Sequence, residues 1–411
     1  MNIMRDARMK KERLIIKNLF TLKEVDIELS KYNVFIGEQA SGKSLILKTL
    51  YFFRSILFTP IRMYWTDSEE LQKLFINMFC ASLSINDFNL NATIKYQIAS
   101  YEIMIFIGND KVILDTNQNL VNLYTEKRQL LLKKYNDIQQ NEIYVDAIRF
   151  SIMELEVQRT IESSELGKIS FVRFLPAGRM AFFTILNNLF NTLGNDKINL
   201  NQLIVTFGQD YQKAFAVYNQ TRDDTKHRLV TFNLLAEKIL KAKYVYDQLG
   251  GYIQQNGFQT KLADGSSGQQ EFLPVYMILR HYLLSGHDQG NLYIEEPEAH
   301  LYPSAQKAIT ELLVYVTNAT NSDGLYITTH SPYILTVLNN LILANDVKDK
   351  QTLFDKDLLV PFEEVRAYYI ADGGARDLRD HENRLILADN LDKVSEQTAL
   401  DFDELLDLKY E

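Results

Sequence analysis

Cysteine is almost missing from this chain of 411 residues: Cys80 stands alone. No intrachain disulfide can form and no thiolate zinc cluster can be built, so a reducing, cytoplasmic setting fits. Proline is scarce, with 7 residues against 23 tyrosines and 23 phenylalanines, which argues against long disordered stretches. No apolar run reaches the roughly 18 residues that a membrane helix needs. The best candidate, Leu45 to Phe58, is cut by Lys48 and Arg54. Basic residues cluster from Arg5 to Arg13 without the apolar core of a signal peptide behind them. They read as a solvated lead-in to the first strand, with a nucleic-acid contact as the alternative. Excess positive charge is also lacking. A net charge of −9 permits a local basic patch but speaks against a dedicated DNA-binding protein. Internal repeats and low-complexity segments are absent.

What is there suits a soluble globular chain, with 46% hydrophobic and 24% charged residues. The length suggests two or three packing units, or one large domain with an insertion. "RLIIKNLFTLKEVDIEL" alternates apolar and polar residues as two strands do. "YNVFIG" is a short apolar strand ending on glycine, and "KSLILKTLYFFRSILF" repeats at helical spacing. From about Ser82 to Asp115 the period returns to two, with turn residues between, as in an antiparallel meander. From about Leu120 to Glu162 the chain is charged, free of glycine and proline, and helical in period. "ISFVRFLPAGR" predicts a strand ending in a turn, and Met180 to about Leu249 reads as helical. "LYIEE" and "LYITTH" are apolar strands ending on polar residues, and a hairpin-like piece precedes an acidic helical tail.

Four features carry chemistry. Gly37, Glu38, Gln39, Ala40, Ser41, Gly42, Lys43 and Ser44, followed by Leu45, match the phosphate-binding loop pattern at every fixed position, with a strand before and a helix after. The glycines let backbone N–H groups close around a phosphate, and the helix points its positive end at the same anion. Lys43 reaches the terminal phosphates and the Ser44 hydroxyl ligates Mg²⁺. Glu295 and Glu296 stand where an apolar strand leaves the core. One suits the Mg²⁺ water shell and the other a general base, and a solvated acidic strand end is the plain alternative. Ser266, Ser267, Gly268 and Gln269 open a helix and offer a second anion-binding surface, or an ordinary N-cap. His330 ends its strand as Glu296 does. In a parallel sheet that sets both on one edge, beside the phosphate loop.

In this order "GEQASGKS", "GSSGQQE", "LYIEEPEAHLYP" and "ITTHSP" resemble Walker A, signature, Walker B with D-loop, and H-loop of the ABC-type ATPases. The nearest branch is the SMC/RecF-like group, specifically the OLD-like ATPases. The resemblance covers Arg13 to about Pro332. It implies an α/β fold: a two-lobed ABC ATPase head, with a mixed β lobe, a parallel-sheet lobe and helical insertions. Expected boundaries are an N-terminal lobe over 1–116 and a helical insertion over 117–168. A Q-loop-like strand and helical lid follow over 169–260, then a C-terminal lobe over 261–345 and a hairpin with an acidic tail over 346–411.

The resemblance further implies ATP and Mg²⁺ sandwiched between two heads, Walker A of one facing Ser266 to Gln269 of the other. Glu296 then matches the catalytic glutamate, working with His330 and Lys43. Glu295 matches the Mg²⁺-associated acid, where ABC heads usually carry aspartate. No glutamine matches a Q-loop. "FLPAGR" takes that place and gives Arg179 a nucleotide-sensing or γ-phosphate role, with a buried structural arginine as the alternative. The segment after His330 is too short for the Toprim nuclease domain of OLD-family enzymes, and Asp401 and Asp403 lie in a helical tail without the strand such a site needs. The first expectation is therefore an ATPase subunit of a bacterial anti-phage system, similar to the PARIS-type and Septu-type ATPases, that holds or releases a separately encoded effector. A RecF-like DNA repair ATPase and a nucleotide-locked scaffold with negligible turnover are the rivals. The partners expected are a second copy of the chain and the effector. Nucleic acid stays open, and no membrane is expected.

Overall fold

A computed structural model describes residues 11–57, 68–85, 90–109, 111–123, 125–126, 129, 133, 171–179, 202–220, 227–247, 250–284, 290–388, 400–403 and 405. Most of the expected helical insertion, the start of the helical stretch after Met180 and most of the acidic tail lie outside them.

The chain enters through β1 (Glu12–Leu19) and β2 (Leu22–Leu29), an antiparallel pair that sets Leu14 against Ile27 and Ile16 against Val25. Strand β3 (Tyr32–Ile36) is buried throughout and leads through the glycine loop into helix α1 (Lys43–Leu57). Helix α2 (Ser68–Leu83) precedes the meander β4 (Ala92–Ile98), β5 (Tyr101–Gly108) and β6 (Lys111–Thr116), so the strands start later than the period-two pattern suggests. Then come β7 (Phe171–Leu175), α3 (Gln202–Gln220) and α4 (His227–Leu240). Residues 243–247, expected to be helical, instead form strand β8 (Lys243–Asp247). Its core "KYVYD" alternates aromatic and branched residues, and it pairs with the hairpin β9 (Gly250–Gln255) and β10 (Phe258–Lys261) in a small separate sheet. Helix α5 (Ser267–Leu284), β11 (Gly290–Glu295), α6 (Pro303–Ala319), β12 (Gly324–Thr329) and α7 (Pro332–Asp346) follow. A last hairpin is β13 (Val365–Ala371) and β14 (Gly374–Asp377).

Among the described residues the main sheet has the order β6-β5-β4-β1-β2-β14-β13-β3-β12-β11-β7. Its β6-to-β2 half is antiparallel, and β13, β3, β12, β11 and β7 run parallel. The C-terminal hairpin is therefore no appendage. It joins the two halves, with β13 against β3 and β14 touching β2.

The parallel strands are buried on both faces, as parallel sheets generally are. Phe35, Phe174, Tyr293 and Tyr326 point into the core shared with α1 and the antiparallel strands. Val34, Leu292, Ile294, Leu325 and Ile327 point into the core shared with α4 to α7. One charged pair crosses the first core. Arg54 of α1 donates to both carboxylate oxygens of Glu12 on β1, at 3.0 Å through Nε, and Tyr96 donates to Glu12 Oε1 at 2.7 Å. Arg54 and Glu12 are both buried, so the pair ties α1 to the antiparallel layer out of reach of water. No described helix is long and apolar enough to cross a membrane.

Candidate functional site

The glycine loop sits where β3 leaves the sheet. Gly42 has φ 103° and Ala40 φ 61°, both left-handed. A Cβ on Gly42 would lie 2.4 Å from Leu22 Cδ2, and one on Gly37 would lie 2.3 Å from the Ile370 carbonyl oxygen. Glycine is thus required twice over, by the turn and by the closeness of the β1–β2 turn and strand β13. The Lys43 ammonium donates to the carbonyl oxygens of Gly37 at 2.9 Å and Glu38 at 2.6 Å, and to Ser41 Oγ at 3.3 Å. Burial lowers its pKa, because an ammonium out of water favours the neutral form. Glu38, Gln39 and Ala40 are exposed, while Ser41, Ser44 and Leu45 are half-buried.

Parallel pairing brings the carboxylates and histidine to the same edge. Thr329 is level with Ile36, and Glu295 is level with Thr328. Glu295 is buried. Its Oε2 accepts from the Ala177 N–H at 3.0 Å, and its Oε1 lies 3.9 Å from Lys48 Nζ. Glu296 donates its N–H to the Thr328 carbonyl at 2.9 Å and adopts φ 42°, a strained conformation for glutamate. Pro297 comes next and disfavours the right-handed helical conformation there. The turn throws the Glu296 side chain outward, and its Oε1 lies 3.3 Å from His330 Nε2, with both side chains 35% exposed. Glu298 turns inward instead. Its Oε1 accepts from Thr329 Oγ1 at 2.6 Å and from the His330 N–H at 2.8 Å, fixing where the histidine leaves β12. Burial raises the Glu298 pKa.

Of the two readings of Arg179, a nucleotide sensor or a buried structural arginine, its surroundings match the second. It is 2% exposed and faces the backbone: Nη1 donates to the Pro176 carbonyl at 2.9 Å and the Glu295 carbonyl at 2.8 Å, and Nη2 to the Glu296 carbonyl at 3.0 Å. Its Nε lies 3.1 Å from Glu271 Oε2, on a buried carboxylate of α5. Arg179 thus clamps the end of β11 and couples it to the helix that the serine turn opens.

That turn is a capping box. Ser266 Oγ accepts from the Gln269 N–H at 3.4 Å, and Gln269 Oε1 accepts from the Ser266 N–H at 3.0 Å. Gln269 Nε2 also donates to the Leu240 carbonyl at 2.8 Å, so Gln269 is held by its own chain. Ser266 and Ser267 are exposed. Gly268 is buried, and a Cβ there would come within 2.7 Å of the His300 carbonyl oxygen. No hydrogen bond among the described residues joins Ser266 to Gln269 with residues 37–45. The structure therefore gathers Lys43, Glu295, Glu296 and His330 on one edge and leaves the serine turn facing outward on its own.

Motif reading missed Glu271, the Lys48 contact with Glu295, and the role of Glu298 beneath His330. A signal existed for Glu271, a lone carboxylate in the apolar run "EFLPVYMIL". The glycine cradle with an inward lysine fits a triphosphate. Among the described residues no group of three or more His, Cys, Asp or Glu is placed to hold a metal by itself. The Ser44 hydroxyl and the Glu295 carboxylate are oxygen donors of the kind Mg²⁺ takes alongside phosphate and water.

The family model described as "AAA domain, putative AbiEii toxin, Type IV TA system" matches residues 32–336, from the start of β3 into α7. No curated protein matches. Among solved structures, the chain is similar to the SMC head domain from Thermotoga maritima, with 9% identity over 90% of this chain and 98% of that one, at a TM-score of 0.38. It is also similar to the recombination mediator protein RecF of the RecFOR pathway. The structure titled RecF-ATPrS has 11% identity over 90% of this chain and 99% of that one, at a TM-score of 0.34. The one titled RecF-ATP has 12% identity over 90% and 97%, also at 0.34.

Proposed function

Because the chain belongs to the AAA domain family described in those words, we propose that it is a Mg²⁺-dependent ATPase. In this reading its nucleotide-bound heads pair, and the pairing regulates a separately encoded effector in anti-phage defence. The observation that carries the ATPase reading is the convergence of Lys43, Glu296 and His330 on one sheet edge, with His330 Nε2 3.3 Å from Glu296 Oε1. Lys43 and the N-terminal turn of α1 bind the phosphates. Ser44 and Glu295 would hold Mg²⁺, which would supply positive charge to offset that of the phosphates. Glu296 accepts a proton from the attacking water as its oxygen bonds to the γ-phosphorus, and the bond to the bridging oxygen breaks to release ADP. His330 holds the Glu296 carboxylate in its outward position. Arg179 and Glu298 act through the backbone, keeping the two strand ends in register.

The outward-facing Ser266 and Ser267 support the pairing step. A helix N-terminus with small exposed residues is suited to the γ-phosphate bound by a second copy. A chain net-negative overall, in a family whose description names a toxin–antitoxin setting, favours a protein effector over DNA. Sedimentation of the Glu296→Gln protein with and without ATP tests this. ATP should drive association, and Ser267→Arg in the same background should prevent it while leaving ATP binding intact. Association that ignores ATP, or survives Ser267→Arg, overturns the pairing. Co-purification of DNA in place of a protein from the neighbouring reading frame overturns the effector.

A further inference from the structure

The C-terminal hairpin had no part in the catalytic edge, yet it lies against the phosphate loop. Strand β13 pairs with β3 so that Tyr369 is level with Ile36, the residue before Gly37. The Ile370 carbonyl closes on Gly37 so tightly that no side chain fits there. The hairpin tip is pinned as well, the Gly373 carbonyl accepting from the N–H groups of Lys23 at 2.8 Å and Glu24 at 3.1 Å. Between the hairpin and the loop runs a cleft of about 620 Å³, lined by Glu38, Ala40 and Ser41 on one side and Tyr369, Asp372 and Arg376 on the other. Tyr369 and Arg376 are directly opposite across the hairpin, and the Arg376 guanidinium carbon lies over the Tyr369 ring, 5.3 Å from its centroid.

Opposite the phosphate loop, the hairpin side of this cleft has a different chemistry. Two carboxylates, Glu38 at the outer side of the loop and Asp372 on the hairpin, line it. A flat guanidinium layered on an aromatic ring is a stacking platform for another flat ring. Carboxylates beside such a platform suit the hydroxyls of a ribose. The cleft also adjoins the first half of the loop, so a group tethered to loop-bound phosphates can enter it. Resting on the ATPase reading above, we infer that the β13–β14 hairpin is the nucleoside wall of the site. Arg376, carried on Tyr369, stacks on the purine base, and Glu38 and Asp372 face the ribose.

Calorimetric titration of the full chain with Mg-ATP and with Mg-tripolyphosphate, which has no nucleoside, tests the inference. Arg376→Ala should weaken ATP binding about tenfold, the size expected for one stacked base, and leave tripolyphosphate binding within about twofold. Arg376→Lys keeps the charge but not the plane, and should also weaken ATP selectively. Equal weakening of both ligands would make Arg376 a phosphate contact and overturn the inference, as would ATP binding unchanged in both variants. Lys43→Ala is the separate control: it should weaken both ligands, and retention of both would overturn the phosphate-loop reading itself. Arg376 is exposed on a pinned hairpin, so its replacement leaves the fold intact.

Discussion

Arg179 offers a sharp test of what holds together the strand edge that carries Glu295 and Glu296. Its guanidinium faces the carbonyls of Pro176, Glu295 and Glu296, and pairs with Glu271 at 3.1 Å, with both side chains buried. Arg179→Met preserves much of the volume but removes the cation from beside a buried carboxylate and takes donors from three carbonyls. Removing one member of a buried ion pair costs about 3–5 kcal/mol. Each buried acceptor deprived of its donor adds to that, so the loss should fall at the upper end. Urea unfolding followed by tryptophan-independent far-UV circular dichroism reads it as a lower midpoint. In the double variant Arg179→Met with Glu271→Leu, the isolated carboxylate is gone too, and most of the stability should return. ATP turnover should not return, because the Glu295 and Glu296 carbonyls still lack their clamp. An Arg179→Met protein that unfolds at the wild-type urea concentration but binds ATP more weakly would refute this reasoning. That result would make Arg179 the phosphate contact that its sequence position suggests.

Two further outcomes follow from buried charge. Arg54→Met should cost about 3–5 kcal/mol because it strands the Glu12 carboxylate in the core without its partner, and adding Glu12→Leu should recover most of it; equal instability of single and double variants in urea melts would contradict this. Glu298 has its pKa raised above 4.5 by burial, so the folded state holds its proton more tightly than the unfolded chain. Its contribution is fully present below 4.5 and is lost as pH rises through the raised value. Glu298→Gln should therefore flatten the fall in stability over that window, and parallel pH profiles for the two proteins would show that Glu298 does not titrate there.

The parts legible in the sequence were those whose meaning is local. The strand–loop–helix around Lys43 declares itself within one stretch of chain, and so do the strand ends at Glu296 and His330. Their meeting on one edge followed from the expectation of a parallel sheet, which the register of β3, β12 and β11 fulfils. What stayed hidden depends on partners far away in sequence. Nothing near Val365 signals that it will pair with Tyr32 and complete the sheet beside the phosphate loop. Arg179 reads as a loop residue until Glu271 and the end of β11 are seen around it. The strand Lys243–Asp247 reads as the end of a helical stretch because it follows α4 after two residues and gains its identity only from β9.

The decisive measurement is ATP hydrolysis by the full chain with Mg²⁺, comparing wild type with Glu296→Gln under conditions where ATP binding to each has been shown. The glutamine keeps the size and the outward turn of the side chain but cannot accept the proton of water. Turnover should fall by about 10²–10⁴-fold while ATP affinity holds. Turnover within a fewfold of wild type would remove Glu296 from the chemistry, and with it the claim that the shared strand edge is a catalytic site.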